Sequence, residues 1–533
     1  MTHSTKNALS TSQREKRGVW SSKLGFILAA SGSAIGLGNI VFFSSNAYQF
    51  GGGAFYLPYF IALFLLGIPV MILEFGLGAA TGKAFPSALH RIAGKKGEFV
   101  GWWAQGSALF ITMFYVAILG WALGMMIGTF GSLFEPGITA PFSPFSEPTT
   151  GPSAMVFFFN LITTAWPLLC VIIIWALNLI ILSKGPKSIE RAVRVFVPLM
   201  WLFMIGLIFR GLTFDGGVDG VLYLFTPNVE GVAEPQVWKG AFAQMFFSLS
   251  LGLGAMTTYA SYLPKDTDQV NNALLVSFLN CGFEYVAGIA IFALLFVFAL
   301  NPAGSTLTLS FFAIPQGIAA FPWGVRFFGF LFFFLLVVAG LTSSISLIES
   351  TVSSLIDKLN IARSRALTYV AIPGIIGSLC FALPQIIDPD LAGNGTLGLT
   401  LLDVMDHWAF GYSLLTAGFF TCILVGWVLG AKTLRLTINA HSKLTLRPWF
   451  DVLIKYIVPA VLGSVLVWSL YDELTSGTMY GSDIELQGFG WIPYSIPAIW
   501  LISTLSVAFF LTRKETHQIK LKRTADLYLM DPE

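Results

Sequence analysis

Charge is scarce in this sequence: only 11% of its 533 residues are Asp, Glu, Lys or Arg, while 55% are hydrophobic. A soluble domain carries about 25% charged residues, so this chain cannot clothe itself in water, and its mean hydropathy of +0.76 agrees. A polytopic membrane protein is expected. Histidine is nearly absent, with His3, His90, His407, His441 and His517 scattered over run ends and loops. That scatter leaves neither a metal centre nor a nucleophile with a paired base, so an enzyme is not expected. The four cysteines, Cys170, Cys281, Cys380 and Cys422, all lie in apolar runs, where they read as small core residues and not as a disulfide or zinc framework. A formal net charge of +2 provides no field for nucleic acid.

Long apolar sequence is what the chain has in abundance. Runs of about 20 residues read as spans number twelve, at 22–46, 53–80, 100–131, 154–182, 188–211, 238–263, 269–300, 323–356, 366–384, 398–431, 449–473 and 491–512. The first run, preceded by Arg14, Lys16 and Arg17, shares features with a secretory leader, but its apolar pattern resumes and no soluble domain follows. We read it as a span.

Loop charge sets the orientation. Lys and Arg collect in the N-terminal tail, in 81–99 (Lys83, Arg91, Lys95, Lys96), in 183–194 (Lys184, Lys187, Arg191, Arg194), around Lys358, Arg363 and Arg365, in 432–447 and in the C-terminal tail. The long loops 132–153, 212–236, 301–322, 385–397 and 474–490 contain none. By the positive-inside rule both termini are cytoplasmic and the number of spans is even.

Two glycine-rich interruptions break this pattern. Ser31-Gly32-Ser33-Ala34-Ile35-Gly36-Leu37-Gly38-Asn39 interrupts the first run and Ser248-Leu249-Ser250-Leu251-Gly252-Leu253-Gly254 the sixth. Gly36 and Gly252 are 216 positions apart (252 − 36). Five spans per half is an odd number, so the halves must be inverted relative to one another, and broken spans at matching points mark the binding site of a secondary transporter. Gly32-x-x-x-Gly36 alone reads equally as a close-packing face; its recurrence in the other half favours the break. The implied layout is a tail (1–19), a five-helix repeat (20–211), an outer loop (212–236), an inverted five-helix repeat (237–434), two peripheral helices (435–513) and a tail (514–533). A broken helix exposes amides suited to a carboxylate at one end and carbonyls suited to a cation at the other.

Three stretches carry a specific resemblance: Trp20 to Phe55, including GSAIGLGN; FFSLSLGLGAMTTYASY at 246–262; and AGLTSSIS at 339–346. Together they resemble the neurotransmitter:sodium symporter family, especially its bacterial amino-acid transporters. The resemblance implies an all-α leucine-transporter fold with broken helices 1 and 6 and sodium-driven uptake. It places one sodium at Ala34, Asn39, Ser248 and Asn280, completed by a substrate carboxylate, and a second among Gly32, Ile35, Ala339, Thr342 and Ser343. On chemistry alone, the Thr342-Ser343-Ser344 run reads as helix-packing glue; the resemblance makes two of its hydroxyls ligands. The substrate pocket implied is Gly36, Leu37, Gly38, Ile111, Tyr115, Phe247, Ser250, Leu253, Ser343 and Leu347. Family members that carry monoamines have an acid at the position of Gly36. Its absence leaves room for the substrate's own carboxylate, and the apolar wall points to a neutral, hydrophobic amino acid, with another zwitterion (a betaine, taurine-like compound or β-amino acid) or a cationic substrate (a basic amino acid or amine) as the alternative.

Two intramembrane acids need an explanation, because a charge at a helix centre costs roughly 2.5–3.5 kcal/mol on insertion scales. Glu284 follows Asn280 by four residues and shares its helix face. By resemblance it joins Tyr59, Gln244 and Ser248 where animal members bind chloride, so a built-in anion with no chloride requirement is expected. Glu74 reads equally as a compensating charge and as part of a structural hydrogen-bond network. Arg17, Trp20 and Asp357 match the family's cytoplasmic gate, with Tyr262 and Glu349 near its inner end. Outside, Asp406 matches the acidic gate partner, but Phe42 stands where the family has Arg, and Phe42 with Phe247 is expected to close that side by apolar packing. Short tails and loops suggest a bacterial inner membrane; the oligomeric state is not legible.

Overall fold

Ser22 begins the first helix by accepting the Gly25 amide on its hydroxyl at 2.9 Å, satisfying one of the donors that a helix start leaves open. The computed structural model describes residues 18–134, 154–298, 306–383, 397–476 and 491–514, which are helical with short connections and contain no strand. Helix α1 (Lys23–Ala34) stops where Ile35 turns extended at φ −73°, ψ 96°. The chain resumes through a π turn at Gly38–Phe42 into α2 (Phe43–Gln49), bent by 56° from α1.

Helix α3 (Gly53–Thr81) is followed by α4 (Phe85–Gly128), whose regularity breaks at Ala93 and Gly94. Part of the stretch read as a loop at 81–99 is therefore helical. The run at 154–182 is not one straight span: α5 (Ala154–Ile162) and α6 (Trp166–Leu182) meet at 82°. The hydroxyls of Thr163 and Thr164 donate back to the carbonyls of Asn160 and Leu161 at 2.9 and 2.7 Å, while Pro167 supplies no amide, so helix continuation is lost there.

Next come α7 (Pro186–Leu212), α8 (Gly217–Phe225) and the pair α9 (Pro235–Ser248) and α10 (Ala255–Ala260). Then follow α11 (Gln269–Val297), α12 (Leu309–Ala319), α13 (Val325–Leu359), α14 (Arg363–Phe381) and α15 (Leu401–Asn439), the last continuing beyond the apolar run read as 398–431. Helices α16 (Trp449–Thr475) and α17 (Ile492–Arg513) complete the described chain. Nine continuous helices in these residues are long and apolar enough to cross a bilayer, and the two bent pairs raise this to eleven. The α9–α10 pair lies outside that number, separated by a non-helical stretch.

Apolar periodicity decides which helices are central. α13 packs against α4, α7, α1 and α10, and α11 against α7, α3 and α1. By contrast α16 and α17 expose Val467, Ile502 and Phe510, each more than 60% accessible, as lipid-facing side chains should be. The two interrupted helices thus sit among α3, α4, α11 and α13, where protein groups can satisfy their unwound backbone.

Candidate functional site

At the first break, amides freed from the helix ladder turn to side chains. Gly36 N donates to Asn39 Oδ1 at 2.8 Å, and Leu37 N to the Tyr115 hydroxyl at 3.3 Å. A β-carbon at Gly36 would stand 2.6 Å from Ser343 Oγ and 3.1 Å from Tyr115 Oη. Gly36 therefore lies directly against side chains of both α4 and α13. Ile111 lies one turn from Tyr115 and Leu347 one turn from Ser343, and both are buried, as are Leu37 and Leu253. Gly38, Tyr115, Phe247, Ser250 and Ser343 are partly accessible, so polar groups and an aromatic edge line an otherwise apolar wall.

The second break needs backbone conformations that L side chains rarely adopt: φ is 88° at Gly252 and 74° at Gly254. Ser250 enters the same left-handed region at φ 53° without being glycine, a cost of order 1–3 kcal/mol that surrounding contacts must offset. Its hydroxyl donates to the Ser33 carbonyl at 3.0 Å, and Ser343 Oγ donates to the same oxygen at 3.0 Å. Glu74 on α3 accepts from Gly252 N at 2.7 Å and from Thr257 N and Oγ1 at 3.3 and 3.2 Å. Gln105 donates to the Leu253 carbonyl at 2.8 Å. With Ser350 Oγ donating to the Gly254 carbonyl at 3.2 Å, the unwound segment is held by side chains from α3, α4 and α13.

Asn39, Ser248 and Asn280 form a closed triangle. Asn39 Nδ2 donates to Asn280 Oδ1 at 2.8 Å and to Ser248 Oγ at 3.2 Å, and Asn280 Nδ2 donates to Ser248 Oγ at 2.6 Å. All three are at most 2% accessible. Their oxygens are neutral and hard, the chemistry a hard monovalent cation requires, and no group of three His, Cys, Asp or Glu side chains suited to a metal converges among the described residues. Of the residues assigned to a second ion, Gly32 and Thr342 come together across α1 and α13: a β-carbon on Gly32 would stand 3.6 Å from Thr342 Cβ. Thr342 Oγ1 donates to the Ala339 carbonyl at 2.8 Å. The α1 carbonyl that Ser343 meets, however, belongs to Ser33 and not to Gly32 or Ile35.

Glu284 lies one turn beyond Asn280, fully buried. It accepts from the Tyr59 hydroxyl and from Gln244 Nε2, the latter at 2.8 Å. Gln244 in turn accepts from Asn46 at 3.1 Å and reaches the Gly38 carbonyl at 3.4 Å. This network connects the carboxylate to the broken first helix.

At the end near Trp20, the indole N–H donates to the Tyr259 carbonyl at 2.8 Å, tying α1 to α10. Asp357 accepts from Ala84 N at 2.8 Å and lies 3.5 Å from Lys83 Nζ; Arg17, its expected partner, falls outside the described residues. Glu349 accepts from Tyr262, from Ser353 at 3.0 Å and from Arg363, whose Nη1 is 3.0 Å away. Arg363 and Lys83 were visible in the sequence only as loop charges. Also missed was the buried pair Lys358–Glu98 at 2.5 Å, with His90 2.7 Å and Trp102 3.1 Å from the same carboxylate; a charge near the end of an apolar run does not reveal its partner.

At the opposite end, the ring stacked on Phe247 is Phe410, with centroids 4.7 Å apart and planes 23° from parallel, instead of the expected Phe42. Phe410 closes a π turn that begins at Asp406. Such a turn inserts a residue into the helix without a signature in apolar periodicity.

The sequence is similar to known transporters along nearly its whole length. The model of the Sodium:neurotransmitter symporter family matches residues 17–135 and 159–512. An uncharacterized sodium-dependent transporter of Methanocaldococcus jannaschii is 37% identical over 481 residues, covering 87% of this chain and 92% of the relative. The human sodium- and chloride-dependent GABA transporter 2 is 30% identical over 522 residues, covering 90% and 84%. The rat sodium- and chloride-dependent taurine transporter is 28% identical over 528 residues, covering 90% and 82%. The crystal structure of MhsT in complex with L-phenylalanine superposes with a TM-score of 0.72 at 30% identity, covering 85% of this chain and 99% of that one.

Proposed function

The chain belongs to the sodium:neurotransmitter symporter family, a family of sodium-dependent membrane transporters, and on that premise we propose that it imports a neutral, hydrophobic amino acid together with sodium. The observation that carries this reading is the convergence at Gly36 of the Tyr115 and Ser343 hydroxyls with the Gly36 and Leu37 amides, which have left the helix ladder and donate to Asn39 Oδ1 and Tyr115 Oη, beside the oxygens of Asn39, Ser248 and Asn280. A substrate carboxylate there meets hydroxyl and amide donors on one side. On the other it completes the coordination of a sodium ion held with the Ala34 carbonyl. The side chain then points at Ile111, Leu253 and Leu347. A second sodium is proposed between α1 and α13 at Gly32, Ile35, Ala339, Thr342 and Ser343, bracing the broken helix against its neighbour.

Glu284 is proposed as a fixed anion that makes chloride unnecessary. The described helices, with α9–α10 taken as one broken span, are read as twelve spans: two inverted sets of five, 20–211 and 237–434, followed by two peripheral helices. Loop charge supports cytoplasmic termini. Transport then proceeds by rocking one bundle against the rest around the central site. Two sodium ions entering with a zwitterion gain about 4.6 kcal/mol per 100 mV of membrane potential, and a tenfold sodium gradient adds about 1.4 kcal/mol per ion.

A second reading has its own support: the names of the human and rat relatives indicate GABA and taurine, zwitterions with longer charge separation than an α-amino acid. Phe42 and the unassigned Asp406 would then bear on where the amine sits. A thermal-shift screen of amino acids and related zwitterions with and without sodium, followed by uptake into proteoliposomes under a sodium gradient, decides between them. Stabilisation by hydrophobic α-amino acids alone supports the first reading; a preference for GABA or taurine overturns it.

A further inference from the structure

Polar atoms buried without a partner are rare because desolvation goes uncompensated, and such atoms are commonly satisfied by ordered water. Among the described residues, α11 carries a row of them: Gln269 Oε1, both amide atoms of Asn272, and Ser277 Oγ. These residues are 4%, 0% and 0% accessible. At 3.6 residues per turn, positions 269, 272, 277 and 280 lie on one side of the helix. The row ends at Asn280, three residues beyond Ser277, within the Asn39–Ser248–Asn280 triangle. Helix α1 packs along α11 and contributes another orphan of the same kind, Ser31 Oγ.

Beyond Glu284 the helix has one further member of this kind, the Tyr285 hydroxyl, likewise buried without a partner. Between Glu284 and Val297, Tyr285 is the sole polar side chain on α11; the rest are Val, Ala, Gly, Ile, Phe and Leu. From Asn280 to Gln269 the helix advances by about 16 Å, and in the proposed orientation this half faces the cytoplasm.

We propose that Ser277, Asn272 and Gln269 form a wetted release route by which the sodium ion coordinated at Asn280 leaves for the cytoplasm. The inference rests on the proposed sodium site at Asn39, Ser248 and Asn280. Neutral amide and hydroxyl oxygens spaced along a helix face suit this task, because an ion must be bound favourably enough to enter each position and weakly enough to leave it. A carboxylate in the row would hold the ion. The row is buried and Trp20 is tied to the Tyr259 carbonyl, so the route is closed in this structure and opens when the inner half of α1 moves.

The test uses full-length protein in which Cys170, Cys281, Cys380 and Cys422 are replaced by alanine and sodium-dependent uptake is retained. Asn272→Cys or Ser277→Cys is then introduced singly. A membrane-impermeant methanethiosulfonate reagent is applied from either side of proteoliposomes in sodium or potassium medium. The expected result is labelling from the cytoplasmic side, several-fold faster in potassium than in sodium. Labelling from neither side, or only from outside, overturns the route while leaving the sodium site standing. Absence of any sodium-induced thermal shift in the unmutated protein sinks the sodium site itself and the route with it. A further variant, Asn272→Leu, should keep the sodium-induced thermal shift and slow uptake several-fold; unchanged uptake assigns Asn272 a packing role and overturns the proposal.

Discussion

The side-chain amide of Asn39 donates to the side-chain oxygen of Asn280 across 2.8 Å, joining residues 241 positions apart. Through this bond the interrupted first helix and α11 share one polar centre, which also includes Ser248. Sodium and substrate are expected to bind there cooperatively, each tightening the other by the same factor, typically about 5–150-fold. Asn39→Ala or Asn280→Ala should remove that factor, measured as substrate affinity in sodium against potassium buffer. Equal affinity in the two buffers for the unmutated protein would falsify the shared site.

Glu74 accepts three hydrogen bonds from the second break. Glu74→Ala leaves the Gly252 amide buried without its acceptor, at a cost of about 1–3 kcal/mol. A lowered melting temperature in detergent is expected, with partial recovery in Glu74→Gln, which keeps one acceptor oxygen. If Glu74→Ala melts with the unmutated protein, the carboxylate does not hold the break.

Glu284 occupies the centre of the Tyr59–Gln244 network. Uptake by the unmutated protein should be equal in chloride and gluconate media. Glu284→Ser should lose most uptake in gluconate and regain part of it in chloride, because chloride can occupy the space of the missing carboxylate. Strong chloride stimulation of the unmutated protein would remove Glu284 from this role.

Gly36 faces Ser343 Oγ and Tyr115 Oη at distances that leave no room for a β-carbon. Gly36→Asp should abolish amino-acid binding, by crowding and by repulsion of the substrate carboxylate, while a sodium-induced thermal shift persists. Ordinary binding of the same amino acid would show that its carboxylate points elsewhere.

Phe247 and Phe410 stack over the site. Phe410→Ala should weaken substrate binding about tenfold, consistent with losing an aromatic contact and its buried area, chiefly through faster dissociation. Asp406→Asn should leave neutral amino-acid uptake largely intact. A collapse confined to cationic substrates would instead mean that Asp406 reads substrate charge.

The sequence by itself determined the membrane location, the helical class and the two points of breakage, because bilayer length, the scarcity of charge and paired glycine runs act locally. It also put Asn280 and Glu284 on one face of one helix, a matter of periodicity alone. Which acid meets which base was decided only by tertiary structure: Glu349 on α13 meets Arg363 on α14, Asp357 on α13 meets Lys83 between α3 and α4, and Glu98 on α4 meets Lys358 on α13. So was the bend at Thr163–Ala165, where hydroxyls compete with the backbone inside a run of otherwise spanning hydrophobicity. The ring on Phe247 is that of Phe410 on α15, 163 positions away (410 − 247). Local composition specifies where a helix crosses or breaks; the partner of a buried polar group depends on how helices pack, whether it lies 14 positions away, as Arg363 does from Glu349, or 241, as Asn280 does from Asn39.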